Sequence, residues 1–237
     1  MTSSEFDKNN VLIVKNLNLN IGNKSLLKNL SFEILNKKIT VIMGPNGSGK
    51  SLCLKLIGGL LKPTSGSVIF NYKPVIGYVP QNVVFLRRNV YQNLTYSLKI
   101  ISLSKNIIQR RVSEIIDICD ISHLFEISAR KLSVGQQQLI AILRALIMKP
   151  KLLLLDEPCS NLDPHFTKII EDILKQAKKD GMKIILVTHD LNQAKRLSDD
   201  IIFIHKGNIY EHSQRKEFFI KPLSQQAKDY IKGRLIK

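Results

Sequence analysis

Apolar positions recur along this chain with two different periods. Short runs at Val11–Val14, Leu30–Ile34 and Ile39–Met43, each bounded by Asn, Lys or Gly, predict strands. After Gly49 the spacing of Leu52, Leu54, Leu56, Ile57 and Leu60 suits a helix, which the stretch from Gly58 to Gly66 with Pro63 ends. Gly66–Phe70 predicts a further strand. From Asn82 to Ala129 the strand signal fades, and Val112, Ile115, Ile116 and Cys119 take up helical spacing, which predicts a helical insert. Gln136–Met148 reads as an apolar-faced helix and Leu152–Leu155 as a buried strand. Phe166–Lys179 is amphipathic through Ile169, Ile170, Ile173, Leu174 and Ala177. Lys183–Thr188 predicts a strand, and Ile201–Ile204 with Asn208–Glu211 around Lys206-Gly207 predicts a terminal hairpin. No internal repeat appears. The alternation of strands and helices predicts an α/β core interrupted by a helical subdomain.

Composition sharpens this picture. With 237 residues, of which 44% are apolar, the chain is long enough to bury a sizeable core, and 23% charged residues fit neither a disordered nor a fibrous protein. No apolar run approaches the ~18 to 20 residues needed to cross a bilayer. Met1–Asn10 is polar and carries Glu5 and Asp7 where a signal peptide needs a basic flank and an apolar stretch, so a cytosolic location is expected. Cys53, Cys119 and Cys159 are odd in number and lack metal-ligand spacing, which suits reduced packing thiols. The charge of +17 leaves open a general compositional bias, an anionic membrane surface nearby, or nucleic acid.

Two segments carry specific chemistry. Gly44-Pro45-Asn46-Gly47-Ser48-Gly49-Lys50-Ser51 fits G-x-x-x-x-G-K-S between a predicted strand and a predicted helix. Its glycines let backbone N–H groups turn around a phosphate, the helix N-terminus adds partial positive charge, Lys50 reaches the β- and γ-phosphates, and the Ser51 hydroxyl can ligate Mg²⁺. The second segment is the apolar strand Leu152–Leu155, which ends in Asp156 and Glu157. Alternation along an extended chain points these carboxylates in different directions, so one can hold Mg²⁺ while the other orients water for phosphoryl transfer.

At these motifs the chain resembles ATP-binding cassette (ABC) ATPases, over essentially Val11 to Leu235. Leu132-Ser133-Val134-Gly135-Gln136 is similar to the family signature L-S-G-G-Q, Gln81 resembles the Q-loop glutamine, Ser160-Asn161-Leu162-Asp163 the D-loop and His189 the switch histidine. The resemblance implies an α/β P-loop NTPase cassette over 11–235. Its RecA-like core would span 11–81 and 149–235, with an N-terminal antiparallel β-subdomain and an inserted helical subdomain at about 82–148. It implies ATP held by Gly44, Pro45, Asn46, Gly47, Ser48, Gly49, Lys50, Ser51 and Leu52, with Mg²⁺ at Ser51, Gln81 and Asp156. Glu157 would polarise water, with Lys50, Gln81 and His189 completing the catalytic set. Ser133, Gly135 and Gln136 would face ATP held by a second cassette, so the resemblance implies a homodimer with Asp163 in contact across it.

Four positions depart from the family pattern. Ile21 stands where an aromatic ring usually stacks on adenine, Val134 replaces a signature glycine, Leu52 replaces a second hydroxyl, and Leu139 replaces an arginine. Slowed hydrolysis is expected, since Lys50, Ser51, Asp156, Glu157 and His189 all remain. Phe85 to Ile100, His189 to Leu197 and the tail from Phe218 to Gly233 are similar to tungstate importer ATPases, and phosphate, molybdate and polar amino-acid importers share parts of them. That implies a permease partner, a periplasmic or lipid-anchored binding protein acting indirectly, no nucleic acid, and a place on the cytoplasmic face of a membrane. A non-transport regulator and a non-hydrolysing binding module are the alternatives. Phe85, Leu86 and Tyr91 are expected to form an exposed apolar docking patch.

Overall fold

The computed structural model describes residues 10–36 and 38–235; the polar segment carrying Glu5 and Asp7 lies outside them. In chain order the strands are β1 (Asn10–Ile21), β2 (Lys24–Leu35), β3 (Ile39–Met43), β4 (Ser65–Phe70), β5 (Ile76–Val79), β6 (Leu152–Asp156), β7 (Lys183–Val187), β8 (Asp200–His205) and β9 (Asn208–Gln214). The helices are α1 (Lys50–Ile57), α2 (Val90–Ile100), α3 (Lys105–Ile118), α4 (Val134–Leu146), α5 (Pro164–Lys179), α6 (Leu191–Leu197), α7 (Arg215–Ile220) and α8 (Gln225–Ile231). None of the described helices is long and apolar enough to cross a membrane.

Two sheets organise the molecule. One is antiparallel, in the order β2-β1-β4; the other has the order β5-β6-β7-β3-β8-β9 and is parallel except where β9 returns against β8. The inner strands are apolar at nearly every position because both faces are covered. Val41, Met43, Leu153, Leu155, Ile184, Leu186, Ile201 and Phe203 face a core shared with the helical segment, α4 and α5. Their neighbours Ile42, Leu154, Ile185, Val187, Ile202 and Ile204 face the antiparallel sheet and α1. The period of two along each strand thus feeds two separate cores.

This is the α/β architecture expected, with the antiparallel sheet and the helical insert both present. Three details differ from what the sequence pattern predicts. β1 and β2 run well beyond their apolar runs, because residues at positive φ, Asn16 and Asn29, break the alternation while the pairing continues past register shifts. The four-residue edge strand β5, containing Gly77 and preceded by Lys73-Pro74, gives almost no pattern. The β8–β9 hairpin is not terminal, since α7 and α8 follow and fold back on it.

The expected docking patch is corrected more sharply. Phe85 is only 4% exposed; the Arg144 guanidinium lies over its ring at 4.9 Å, and Arg130 Nε donates to its carbonyl at 3.1 Å. Tyr91 packs edge-on against Phe125 at 5.5 Å. Both belong to the core of the insert. The exposed apolar side chains here are Val84, at 72%, and Leu86 and Tyr96 beside it.

Candidate active site

Parallel strand order assembles the site. β5, β6, β7 and β3 lie side by side and point the same way, so the segments leaving their carboxyl ends share one edge of the sheet. Gln81 follows β5, Asp156 ends β6 and Glu157 follows it, His189 follows β7, and the glycine-rich loop follows β3. This is the edge at which open α/β sheets bind ligands. A cavity of about 470 Å³ lies there, lined by Asn46, Gly47, Ser48, Gly49, Lys50, Ser51, Leu52, Gln81, Glu157, Ser160 and His189.

The loop is shaped for an anion. Gly44 has φ 151°, and a Cβ there would stand 1.9 Å from the Ile204 carbonyl oxygen, so the strand-to-loop turn admits only glycine. Gly49 precedes α1 without any side-chain cap, which leaves the first amides of that helix directed at the cavity. Lys50 Nζ donates to the carbonyls of Gly44 at 2.8 Å and Pro45 at 2.9 Å. Burial lowers its pKa, opposed by Glu157 and Asp156. Asp156 accepts a 2.8 Å bond from Ser51 Oγ, and burial raises its pKa against that bond and the charges of Lys55 and Lys50. A buried lysine biased toward losing its proton and a buried carboxylate biased toward gaining one both regain their charge beside opposite partners. A phosphate would supply one to Lys50, and a divalent cation would supply the other to Asp156. A hydroxyl paired with a carboxylate is also the hard-oxygen donor set that suits Mg²⁺ shared with phosphate oxygens.

Glu157 stands at φ 51°, uncommon for a side-chain-bearing residue, with its amide bonded to the Val187 carbonyl at 2.9 Å. The carboxylate, almost fully buried, lies 2.8 Å from Nδ1 of His189. A carboxylate so held, at the wall of the phosphate cavity, can accept a proton from water.

The remaining expected residues lie elsewhere. Ile21, 60% exposed at the end of β1, does not line the cavity. Ser133, Gly135 and Gln136 are also absent from its wall and open α4 instead. Ser133 caps that helix, its Oγ accepting from the Gln136 amide at 3.3 Å while Gln136 Oε1 accepts from the Ser133 amide at 3.0 Å. Asp163 caps α5, accepting from the amides of His165 at 2.9 Å and Phe166 at 3.0 Å. Two contacts have no counterpart among the sequence motifs. Arg196 of α6 grips Glu171 of α5 through three bonds of 2.7 to 3.1 Å, fixing the helix that follows His189. Tyr230 of α8 donates to the His189 carbonyl at 3.1 Å. Neither carries a local signal that could have revealed it.

The fold and this site define a P-loop nucleoside-triphosphate hydrolase. The ABC transporter family matches residues 27–160, more than half of the chain, and the chain belongs to that family and is an ATPase of it. It is similar to the molybdate/tungstate import ATP-binding protein WtpC of Methanocaldococcus jannaschii, 39% identical across 86% of this chain and 71% of that protein. It is 33% identical to the phosphate import ATP-binding protein PstB of Mycoplasmoides gallisepticum, across 98% of this chain and 78% of that one. Among solved structures, a part of the CbiONQ ABC transporter complex from Clostridium perfringens superposes with a TM-score of 0.81 at 31% identity, covering 90% of this chain and 92% of that one. A dimeric, post-hydrolysis ATP-binding cassette bound to ADP and Pi gives 0.78 at 28% identity, covering 86% of this chain and 98% of that one.

Proposed function

We propose that this ATPase powers import of a small oxyanion, tungstate or molybdate, while held at the cytoplasmic face of a membrane by a permease. The observation that carries this reading is the 39% identity to an import ATPase named for those anions. The phosphate importer ATPase, similar over 98% of the chain, supports phosphate as the second reading. A binding protein outside the membrane would select the cargo, because no residue of the site described above meets it.

In the proposed mechanism the amides of Gly47 to Ser51 and the Lys50 ammonium, released from the Gly44 and Pro45 carbonyls, bind the β- and γ-phosphates of ATP. Ser51, Gln81 and Asp156 would hold Mg²⁺, which would supply positive charge to neutralise the phosphate oxygens. Glu157 takes the proton of the attacking water, and His189 orients its carboxylate from 2.8 Å. The N-terminus of α4 opens outside this cavity, which supports a working form in which the signature residues of one copy meet the ATP of a second copy, head to tail.

A groove of about 380 Å³ between β5, α2 and α4, with Val84, Leu86, Tyr96 and Arg144 in its wall, offers the permease a seat close to Gln81. The test is ATP hydrolysis by the chain reconstituted with its permease and binding protein in vesicles. Tungstate- or molybdate-loaded binding protein is expected to stimulate turnover, and Val84→Asp with Leu86→Asp to abolish that stimulation while leaving basal hydrolysis intact. Stimulation by phosphate alone would replace the first reading with the second; stimulation that survives the double variant would remove the groove as the docking seat.

A further inference from the structure

We propose that Tyr230 is a positioning residue for hydrolysis, its hydroxyl tying the C-terminal helix α8 to the backbone of His189 and to the turn that begins the phosphate loop. The phenol donates to the His189 carbonyl at 3.1 Å and lies 3.5 Å from the Gly44 carbonyl, the same oxygen that accepts Lys50 Nζ at 2.8 Å. One hydroxyl thus stands between the loop after β7 and the loop after β3. Both loops line the nucleotide cavity.

The ring cannot drift. It packs on Phe203 of β8 with centroids 5.2 Å apart, and Phe203 in turn meets Phe218 of α7 at 6.0 Å. The other end of α8 is anchored independently by Glu211 of β9, a buried carboxylate. Its Oε2 accepts from the amides of Leu223 at 2.9 Å and Ser224 at 3.1 Å, and Ser224 Oγ caps the helix by accepting from the Ala227 amide at 3.1 Å. A helix pinned at both ends is a strut, and its site end bears on the backbone of the residue whose imidazole holds Glu157. Burial, followed by the charges of Glu157 and Asp190, pushes the phenol up to about 12, so it stays a donor throughout the working pH range. Phe203 explains the ring but not the hydroxyl, whose contacts reach the backbone of both site loops.

The inference rests on the role proposed for His189. Tyr230→Phe keeps the ring on Phe203 and removes only the donor, so it isolates the tether. Steady-state ATP hydrolysis by the full chain is compared for wild type, Tyr230→Phe, His189→Ala and the double variant, with thermal melting alongside. Tyr230→Phe is expected to lower kcat roughly three- to tenfold, the range of one hydrogen bond, with KM for ATP and the melting temperature nearly unchanged. In the His189→Ala background the same substitution is expected to cost nothing more. Wild-type kcat in Tyr230→Phe, or an equal loss in both backgrounds, overturns the proposal. Full activity in the single variant His189→Ala overturns the role of His189 and this tether with it, and is read separately from the Tyr230 result.

Discussion

Gly135, inside the signature turn, is held to glycine by space, and the cost of filling that space can be worked out. A Cβ added there would lie 2.4 Å from Cδ2, 2.6 Å from Cγ and 2.9 Å from Cε2 of Phe166. Carbon pairs prefer about 3.5 to 4.0 Å, so the ring or the helix must move by about an ångström. Phe166 is half-buried against the core and its amide is fixed by Asp163, which holds the backbone beneath the ring. Overpacking of this kind costs about 1 to 3 kcal/mol, while replacing a helical glycine by alanine returns about 0.8 to 1.0 kcal/mol. Gly135→Ala alone is therefore expected to destabilise the chain by up to about 2 kcal/mol. With the ring removed by Phe166→Ala only the helix gain is left, and Gly135→Ala is expected to stabilise by about 1 kcal/mol. Urea unfolding of the four proteins measures the coupling, expected at about 1 to 3 kcal/mol. Effects that add within about 0.5 kcal/mol would show that α4 and α5 do not meet through this contact and would refute the reasoning.

Glu157→Gln keeps the shape of the buried side chain but cannot accept a proton, so turnover is expected to fall about 10²- to 10⁴-fold while ATP still binds. Size-exclusion chromatography with Mg-ATP should then show a trapped dimer, and a monomer at saturating ATP would count against the composite site. Lys183 is fully buried, its Nζ donating to Thr40 Oγ1 at 2.6 Å, and burial lowers its pKa to about 8. Because the unfolded lysine keeps its proton to about 10.5, the group adds stability as pH rises from about 8 to 10.5, and that gain is lost again as pH falls through the window. The stability difference between wild type and Lys183→Met should climb across that window by up to about 3 kcal/mol in chemical denaturation; a flat difference would contradict the assignment. Comparing two proteins matters because Cys53, Cys159, Tyr78 and Tyr230, each pushed up to about 12, act in the opposite direction at the alkaline end.

Chemistry written into one contiguous segment is legible in the sequence by itself. The loop from Gly44 to Ser51 and the apolar strand ending at Asp156 and Glu157 declare themselves because the backbone geometry that presents them is local. Their meeting is legible only through the rule that alternating strands and helices build a parallel sheet, which brings strand ends to one edge. What the sequence hides depends on side-chain direction or on distant partners. Phe85 and Leu86 are adjacent and both apolar, yet only Leu86 reaches solvent, because Arg130 and Arg144 arrive from other segments to cover Phe85. Tyr230 meets a carbonyl 41 residues earlier in the chain, and no spacing pattern encodes that contact.

The departures from the family pattern can be sorted by the same distinction. Val134 replaces a glycine, but it occupies the first position of α4, follows the capping residue Ser133, and is 66% exposed, so nothing there requires a missing Cβ. A β-branched residue fits an ordinary helical start with a slight loss of propensity. The demanding position is the next one, where Phe166 closes on Gly135. In the turn Ser133 and Gln136 satisfy each other's amides, Gly135 lets α5 approach, and Val134 presents its side chain outward, toward whatever docks on the N-terminus of α4. A substitution that would be costly one residue later thus becomes a change in the exposed surface at the start of α4 rather than a defect in the chain's own fold.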